Sequence, residues 1–199
     1  MDDETRDAIA RHWKYHPGNT AQRVSGLDGV QLNGMDAAVR IHDASTSWRD
    51  ARVLAHALAT FFAESLLYTR AFHHNVGPDG TVDSTDWGPC QINDKAHPDL
   101  FPGGDPDAIA CNPDKCFGAA WQIYHAAGGS LDPWYGWKNG VALDDYYLRR
   151  ASLAVANFVG RDLVTLAKGR APEIAGRTTP PTTTRVPFIS THDLKLVYP

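Results

Sequence analysis

Only three cysteines, Cys90, Cys111 and Cys116, occur in 199 residues. That is too few for a disulfide scaffold, and the odd number leaves at least one without an intrachain partner. The chain also has no block of basic residues. Its 19 Lys and Arg stand against 23 Asp and Glu, for a formal net charge of −4, so the positive surface that holds nucleic acid is missing. Charged residues interrupt every long apolar stretch, which excludes a membrane-spanning helix. The amino terminus, MDDETRDAIA, is acidic and has no apolar core, so no secretory signal is expected there. No D-x-D-x-D-G calcium loop occurs. What is present, 43% hydrophobic and 21% charged residues, fits a globular chain with one full core and appended segments.

The pattern divides the chain into four stretches. Residues 1–46 read as an N-terminal arm, packed on the main body or on a partner. A short helical pattern carrying Ile9, Ala10 and Trp13 stops at His16-Pro17-Gly18, and SGLDGVQLNG (25–34) reads as turns or a short hairpin. Residues 47–140 form the main body. Ser47 and Asp50 are spaced as N-cap and N3 of a capping box, heading a helix that runs to about Arg70. Residues 73–95 are rich in turn formers, with β-type pieces around Thr81-Val82 and Cys90-Gln91-Ile92. PDLFPGGDPDA reads as loop, and a helix over about 112–126 closes at Gly128-Gly129. Residues 141–169 form a C-terminal helical extension, with a long helical pattern over 143–168, bent or broken near Gly160. The tail, 170–199, is expected to be extended, because Pro180-Pro181 and the surrounding threonines preclude a helix. Its strand-like end, PFISTHDLKLVYP, suits the sheet edge or groove of a partner.

Within the first long helix, FFAESLLYTRAF (61–72) places a carboxylate on the apolar side. At about 100° per residue, Glu64 falls among Val53, Ala57, Phe61 and Tyr68. No Lys or Arg lies three or four residues away to form a helical ion pair. A second set of acids follows in NVGPDGTVDSTDWGPCQIN (75–93): Asp79, Asp83 and Asp86. One acid late in a helix and another on a nearby β turn is an arrangement glycosidases use. A protonated carboxyl donates to the leaving oxygen, and an ionised one supports the cationic sugar. The two need environments that separate their pKa values. Apolar neighbours and the C-terminal half of a helix favour neutral Glu64, and the hydroxyls of Ser84 and Thr85 let Asp86 stay ionised.

Each residue also has a plainer reading. A helical Glu on an apolar face can close a buried hydrogen-bond network. Asp79 and Asp83 are turn formers by type, and Asp86 could be another. Trp134, Tyr135 and Trp137 could be core. Cys90, His97, Cys111 and Cys116 make a zinc set by residue type. Against it, Cys90 lies in a core-facing strand, where a free thiol acts as a small hydrophobe, and Cys111 and Cys116 could form a local disulfide in an oxidising compartment. His73-His74 reads as hairpin surface or cleft rim. No metal and no cofactor are expected.

Taken in order, AES on a helix, then DGTVDSTDWGPCQIN, then a helix, then DPWYGWKNG resembles the lysozyme superfamily. The signature of chicken-type lysozymes is the nearest pattern. Lysozyme-like domains of phage tails and endolysins, and soluble lytic transglycosylases, share parts of it. The resemblance covers about residues 47–140. It implies an α+β fold, a mainly helical lobe and a small β-hairpin lobe with a cleft between them. It implies Glu64 as general acid and Asp86 as the carboxylate that stabilises or attacks the sugar cation. Gln91 and Asn93 match the strand that lines the sugar cleft. Trp134 and Trp137 match two tryptophans, the first of which desolvates the acid.

The activity so implied is cleavage of the β-1,4 bond between N-acetylmuramic acid and N-acetylglucosamine in peptidoglycan. A lytic transglycosylase using Glu64 alone is one alternative, and a structural phage tail protein with an inactive lysozyme-like body is the other. The expected setting is the tail tip or baseplate of a phage virion, after synthesis in the host cytoplasm, with an endolysin as the other reading. The expected partners are peptidoglycan glycan strands and other tail proteins, the latter through residues 170–199. One departure stands out. Twenty-two positions separate Glu64 from Asp86, more than in the chicken-type pattern, so the intervening loop carries an insertion.

Overall fold

Asp50 starts the central helix of the computed structural model, which describes residues 25–169, the side chains of Ser25 and of 161–169 excepted. The helical pattern near Trp13 and the extended tail at 170–199 lie outside the described residues. Among those described, the helices are α1 (Gly34–Ala44), α2 (Ala51–Ser65), α3 (Cys116–Ala126), α4 (Tyr135–Lys138) and α5 (Asp145–Gly169). The strands are β1 (Ser25–Gly26), β2 (Phe72–Val76), β3 (Val82–Trp87) and β4 (Ile92–Asn93), antiparallel and in that order. The fold is therefore α+β, a helical body with a small antiparallel sheet.

The Asp50 carboxylate accepts the amides of Arg52 and Val53 at 3.0 and 3.1 Å, two of the donors a helix start leaves orphaned. Ser47, the cap expected from the sequence, instead sits in a 3-10 turn (Thr46–Trp48) that Ser45 caps. From Leu54 to Ser65, α2 is buried on nearly every side except at His56. A helix apolar all round belongs inside other elements. Here α1, α4, α5 and the 3-10 turn Val141–Leu143 surround it.

Helix α1 follows the turn-rich stretch 25–34, in a part of the arm for which the sequence suggested no element. Asn33 caps it, accepting the Asp36 amide at 2.9 Å, and it buries Ala37, Ala38 and Ile41. Small residues let it lie close to its neighbours. A Cβ on Gly34 would stand 3.1 Å from the Ala154 methyl of α5. Helix α5 itself runs without interruption through Gly160 to Gly169, where a bend or break was expected.

Helix α2 ends at Ser65, earlier than the expected Arg70, because Leu66 and Leu67 take left-handed backbone, φ 52° and 63°. Buried leucines rarely adopt it, and the surroundings must hold them there. The segment before α1 does so: Gln31 Nε2 donates to the Leu66 carbonyl and the Leu32 amide to that of Leu67, each at 3.0 Å. Ser65 Oγ accepts the Leu67 amide at 3.0 Å and donates to the Pro89 carbonyl at 2.7 Å. The end of α2 is thus tied to the turn between β3 and β4.

In the sheet, His73 opposes Asp86, Asn75 opposes Ser84 and Asp86 opposes Asn93. Alternation sends all five side chains to one face. Phe72, His74 and Trp87 gather on the other, with ring centroids 5.1–6.5 Å apart. Between β2 and β3, Asp79 accepts the amide and hydroxyl of Thr81, so it is a turn former as expected. Asp83 lies instead in β3 and pairs with Lys95 at 2.5 Å. All three cysteines are free thiols, and Cys116 hydrogen-bonds to Cys90 rather than bridging to Cys111.

The chain turns after β3 at Gly88, φ +73°, where a Cβ would fall 1.9 Å from the Ala110 carbonyl oxygen. Backbone cannot yield as a side-chain tip can. Gly88→Ala should destabilise the fold by at least about 2 kcal/mol in urea unfolding. An unchanged midpoint would show that the hairpin does not press on the loop at Ala110.

Candidate active site

Glu64 occupies the last turn of α2 and is 5% exposed. Its Oε1 accepts the Gly136 amide of α4 at 2.6 Å. Glycine suits position 136, since a Cβ there would meet that oxygen at 3.1 Å and the Ala63 methyl at 3.2 Å. Burial raises the Glu64 pKa from its ordinary 4.5 to about 7. The Gly136 hydrogen bond opposes this, while the negative charge of Asp86 adds to it. Near neutrality the group thus holds its proton about half the time.

Trp134 precedes α4 and is 4% exposed. Its indole N–H donates to the Cys90 carbonyl at 2.7 Å, and its ring meets Phe61 edge-on at 5.3 Å. It therefore joins the segment that holds Glu64 to the turn before β4, and it lines the same cleft as the acid. Trp137 goes elsewhere. It is half-buried, packs on His56 at 5.0 Å and does not line the cleft.

Asp86 faces the cleft from β3. Asn93 Nδ2 donates to its Oδ1 at 2.7 Å and Asn75 Nδ2 to its Oδ2 at 3.1 Å. Ser84 Oγ lies within 3.0 and 3.2 Å of the same two amides, which fixes their orientation. Burial raises the Asp86 pKa and Asp94 adds to that; the Asn93 and Asn75 amides and the charge of His73 lower it. The Asn93 side-chain oxygen also accepts the Lys95 and Ala96 amides, so the residue that grips Asp86 is itself held. Gln91 has left-handed backbone, φ 47°, and its side chain returns to the Gly88 and Ala71 carbonyls at 2.9 and 3.3 Å. Its role in the cleft wall is to shape the turn.

Glu64, Asp86, Gln91, Asn93 and Trp134 thus line one cleft of about 370 Å³. His73, read from the sequence as hairpin surface or cleft rim, also lines it, as do Asn75, His97 and Tyr135, none of them named as a catalytic or substrate-binding residue from the sequence. The signal for His73 and Asn75 was available in principle. Once Asp86 is placed, strand register names its neighbours, but the register depends on a hairpin loop whose length sequence pattern leaves open. Cys90 and Cys116 meet without His97, and among the described residues no group of three or more His, Cys, Asp or Glu is placed to hold a metal ion.

Chemically, the cleft holds an acid that keeps a proton near neutrality and a second carboxylate bracketed by amide donors. The buried acid can donate a proton, and the amide donors favour the charged form of Asp86 against the burial that opposes it. Compared with protein-family models, curated proteins and solved structures, the chain finds no match in any of the three.

The raised pKa has a stability consequence. Because the folded value exceeds the ordinary one, this contribution is full below pH 4.5 and is lost as pH rises through about 7. The interval corresponds to about 3 kcal/mol. Glu64→Gln keeps an acceptor for Gly136 but has no charge to bury. Its stability relative to wild type should rise by about that amount between acid and pH 8, measured by denaturant unfolding across pH. Parallel profiles for the two proteins would show that Glu64 titrates normally.

Proposed function

We propose that this chain is a peptidoglycan-degrading glycosidase of the lysozyme type, cleaving the β-1,4 bond between N-acetylmuramic acid and N-acetylglucosamine. The observation that carries the reading is the shared cleft of Glu64 and Asp86, one on a helix against apolar groups and one on the sheet between two amide donors. The lysozyme-like reading of the fold draws support from the same place. A small hairpin sheet lies beside a helical body, and the WYGWKN segment reaches back to the acid through Gly136.

In this mechanism Glu64 gives its proton to the glycosidic oxygen as the bond to the anomeric carbon breaks. Asp86 supports the cationic sugar, or bonds to its anomeric carbon. Water then adds to that carbon, and its proton returns to Glu64. Trp134 and Gly136 keep the acid dry and oriented.

A specific observation also favours a lytic transglycosylase. Burial pushes the Asp86 carboxyl toward its neutral form, and with Asp86 neutral Glu64 would act alone as acid and then base, leaving a 1,6-anhydro product. Glu64→Gln should lose roughly 10²–10⁴-fold of wall-cleaving activity under either chemistry. Asp86→Asn should lose activity nearly as strongly in the hydrolase, whose product carries an ordinary reducing end. A mild loss with anhydro-sugar ends by mass spectrometry would assign the transglycosylase. A wild-type protein that leaves peptidoglycan intact would instead fit a structural tail protein with an inactive body.

The proposed setting is a phage tail, with residues 170–199 anchoring the enzyme to other tail proteins. A chain ending at Gly169 should cleave soluble peptidoglycan fragments like the full chain and fail to enter particles. Loss of cleavage with normal assembly would overturn the anchoring role.

A further inference from the structure

Directly opposed residues in an antiparallel pair share a face and lie close together. Asp86 has two such partners, His73 on β2 and Asn93 on β4. Its carboxylate is therefore flanked by an imidazole on one side and an amide on the other, on the face that lines the cleft. The Asn93 and Asn75 amides satisfy its oxygens but bring no net charge. His73 is 5% exposed and lines the same cleft, so an imidazole and a carboxylate are drawn together from water. An anion moved out of water without a compensating charge is pushed toward its neutral form.

We infer that His73, as an imidazolium, is the counter-ion of Asp86 and holds that carboxylate ionised in the cleft. It is a positioning residue, acting through Asp86 rather than on the sugar. Its consequence for catalysis rests on the glycosidase reading; the ion pair itself does not.

The other ionisable groups around the pair do not replace it. Glu64 from α2 and Asp94 beyond β4 are acids, and Asp94 raises the Asp86 pKa. Tyr135 and His97 line the cleft, but neither is opposed to Asp86 in the sheet. Among the charges acting on Asp86, that of His73 favours ionisation.

The pair sets the lower edge of the working pH range. Activity rises with pH as Asp86 ionises and falls as Glu64 gives up its proton at about 7. Burial of Glu64 raises the upper edge of the interval between those events, whereas burial of Asp86 raises the lower edge toward it. A cation beside Asp86 widens the interval from the acid side. Its removal should move the acidic limb of kcat/KM to higher pH and leave the alkaline limb, set by Glu64, in place.

The test is a ¹³C NMR titration of the Asp86 carboxyl in the full chain, wild type against His73→Gln, beside the kcat/KM–pH profiles of both. The expected result is a midpoint about one unit higher in the variant, with the acidic limb following it. His73→Lys, which retains a cation, should keep the midpoint at or below that of wild type. Equal midpoints in wild type and a folded Gln variant would overturn the inference, as would a Lys variant that titrates like the Gln variant. If the variants do not fold, the wild type decides alone. The His73 ring resonances must show an inflection at the pH where Asp86 titrates, and a ring blind to that event overturns the pairing. The carboxyl titration needs no substrate. A wild type inactive on peptidoglycan would therefore refute the glycosidase reading while the titration still judged the ion pair.

Discussion

The Gly136 amide donates to Glu64 across 2.6 Å, and the geometry of the cleft depends on that contact. It fixes the carboxyl at the end of a buried helix against a short aromatic segment. Trp134, from the same segment, reaches the Cys90 carbonyl, and Ser65, next to the acid, reaches the Pro89 carbonyl. Three hydrogen bonds thus tie the end of α2, the start of α4 and the turn before β4 to one another. The sheet face that carries Asp86 is held beside Glu64 by the same ties.

This arrangement opposes stability. A carboxyl in apolar surroundings is destabilising once ionised, and two leucines follow it in left-handed backbone. Neither feature helps the core. Both are held by groups from distant parts of the chain, Gln31 and Leu32 on one side and Gly136 on the other. An apolar residue at position 64 and a glycine after Ser65 would carry neither cost. Strain and burial concentrated at one carboxyl mark Glu64 as a candidate functional group.

Much of the site was legible because its members lie in short, strongly patterned segments. Glu64 stood out as an acid without a helical partner on an apolar face and Asp86 as an acid in a turn-rich segment, while Gln91, Asn93 and Trp134 came from the resemblance to lysozymes; all five line the cleft. What escaped the sequence depended on contacts between distant residues. Helix α1 buries small alanines, whose weak hydrophobic pattern gave no helix signal, and its place follows from packing on α2 and α5. The helix start shifted from Ser47 to Asp50 because Ser45 closes a separate 3-10 turn first. No glycine marks the end of α2, since Ser65 and the segment at Gln31–Leu32 hold Leu66 and Leu67 in place. Trp137 shares its motif with Trp134, yet the short α4 turns it toward His56 and away from the cleft. His73 needed the hairpin register, which the loop around Asp79 sets.

The proposed chemistry turns on the protonation of one buried group, and that can be read directly. Selective ¹³C labelling of glutamate, with the Glu64 carboxyl assigned by its absence in the Gln variant, gives its titration in the folded chain. The expected midpoint is near 7. A midpoint near the ordinary 4.5 would contradict it, since an acid ionised at neutrality has no proton to give.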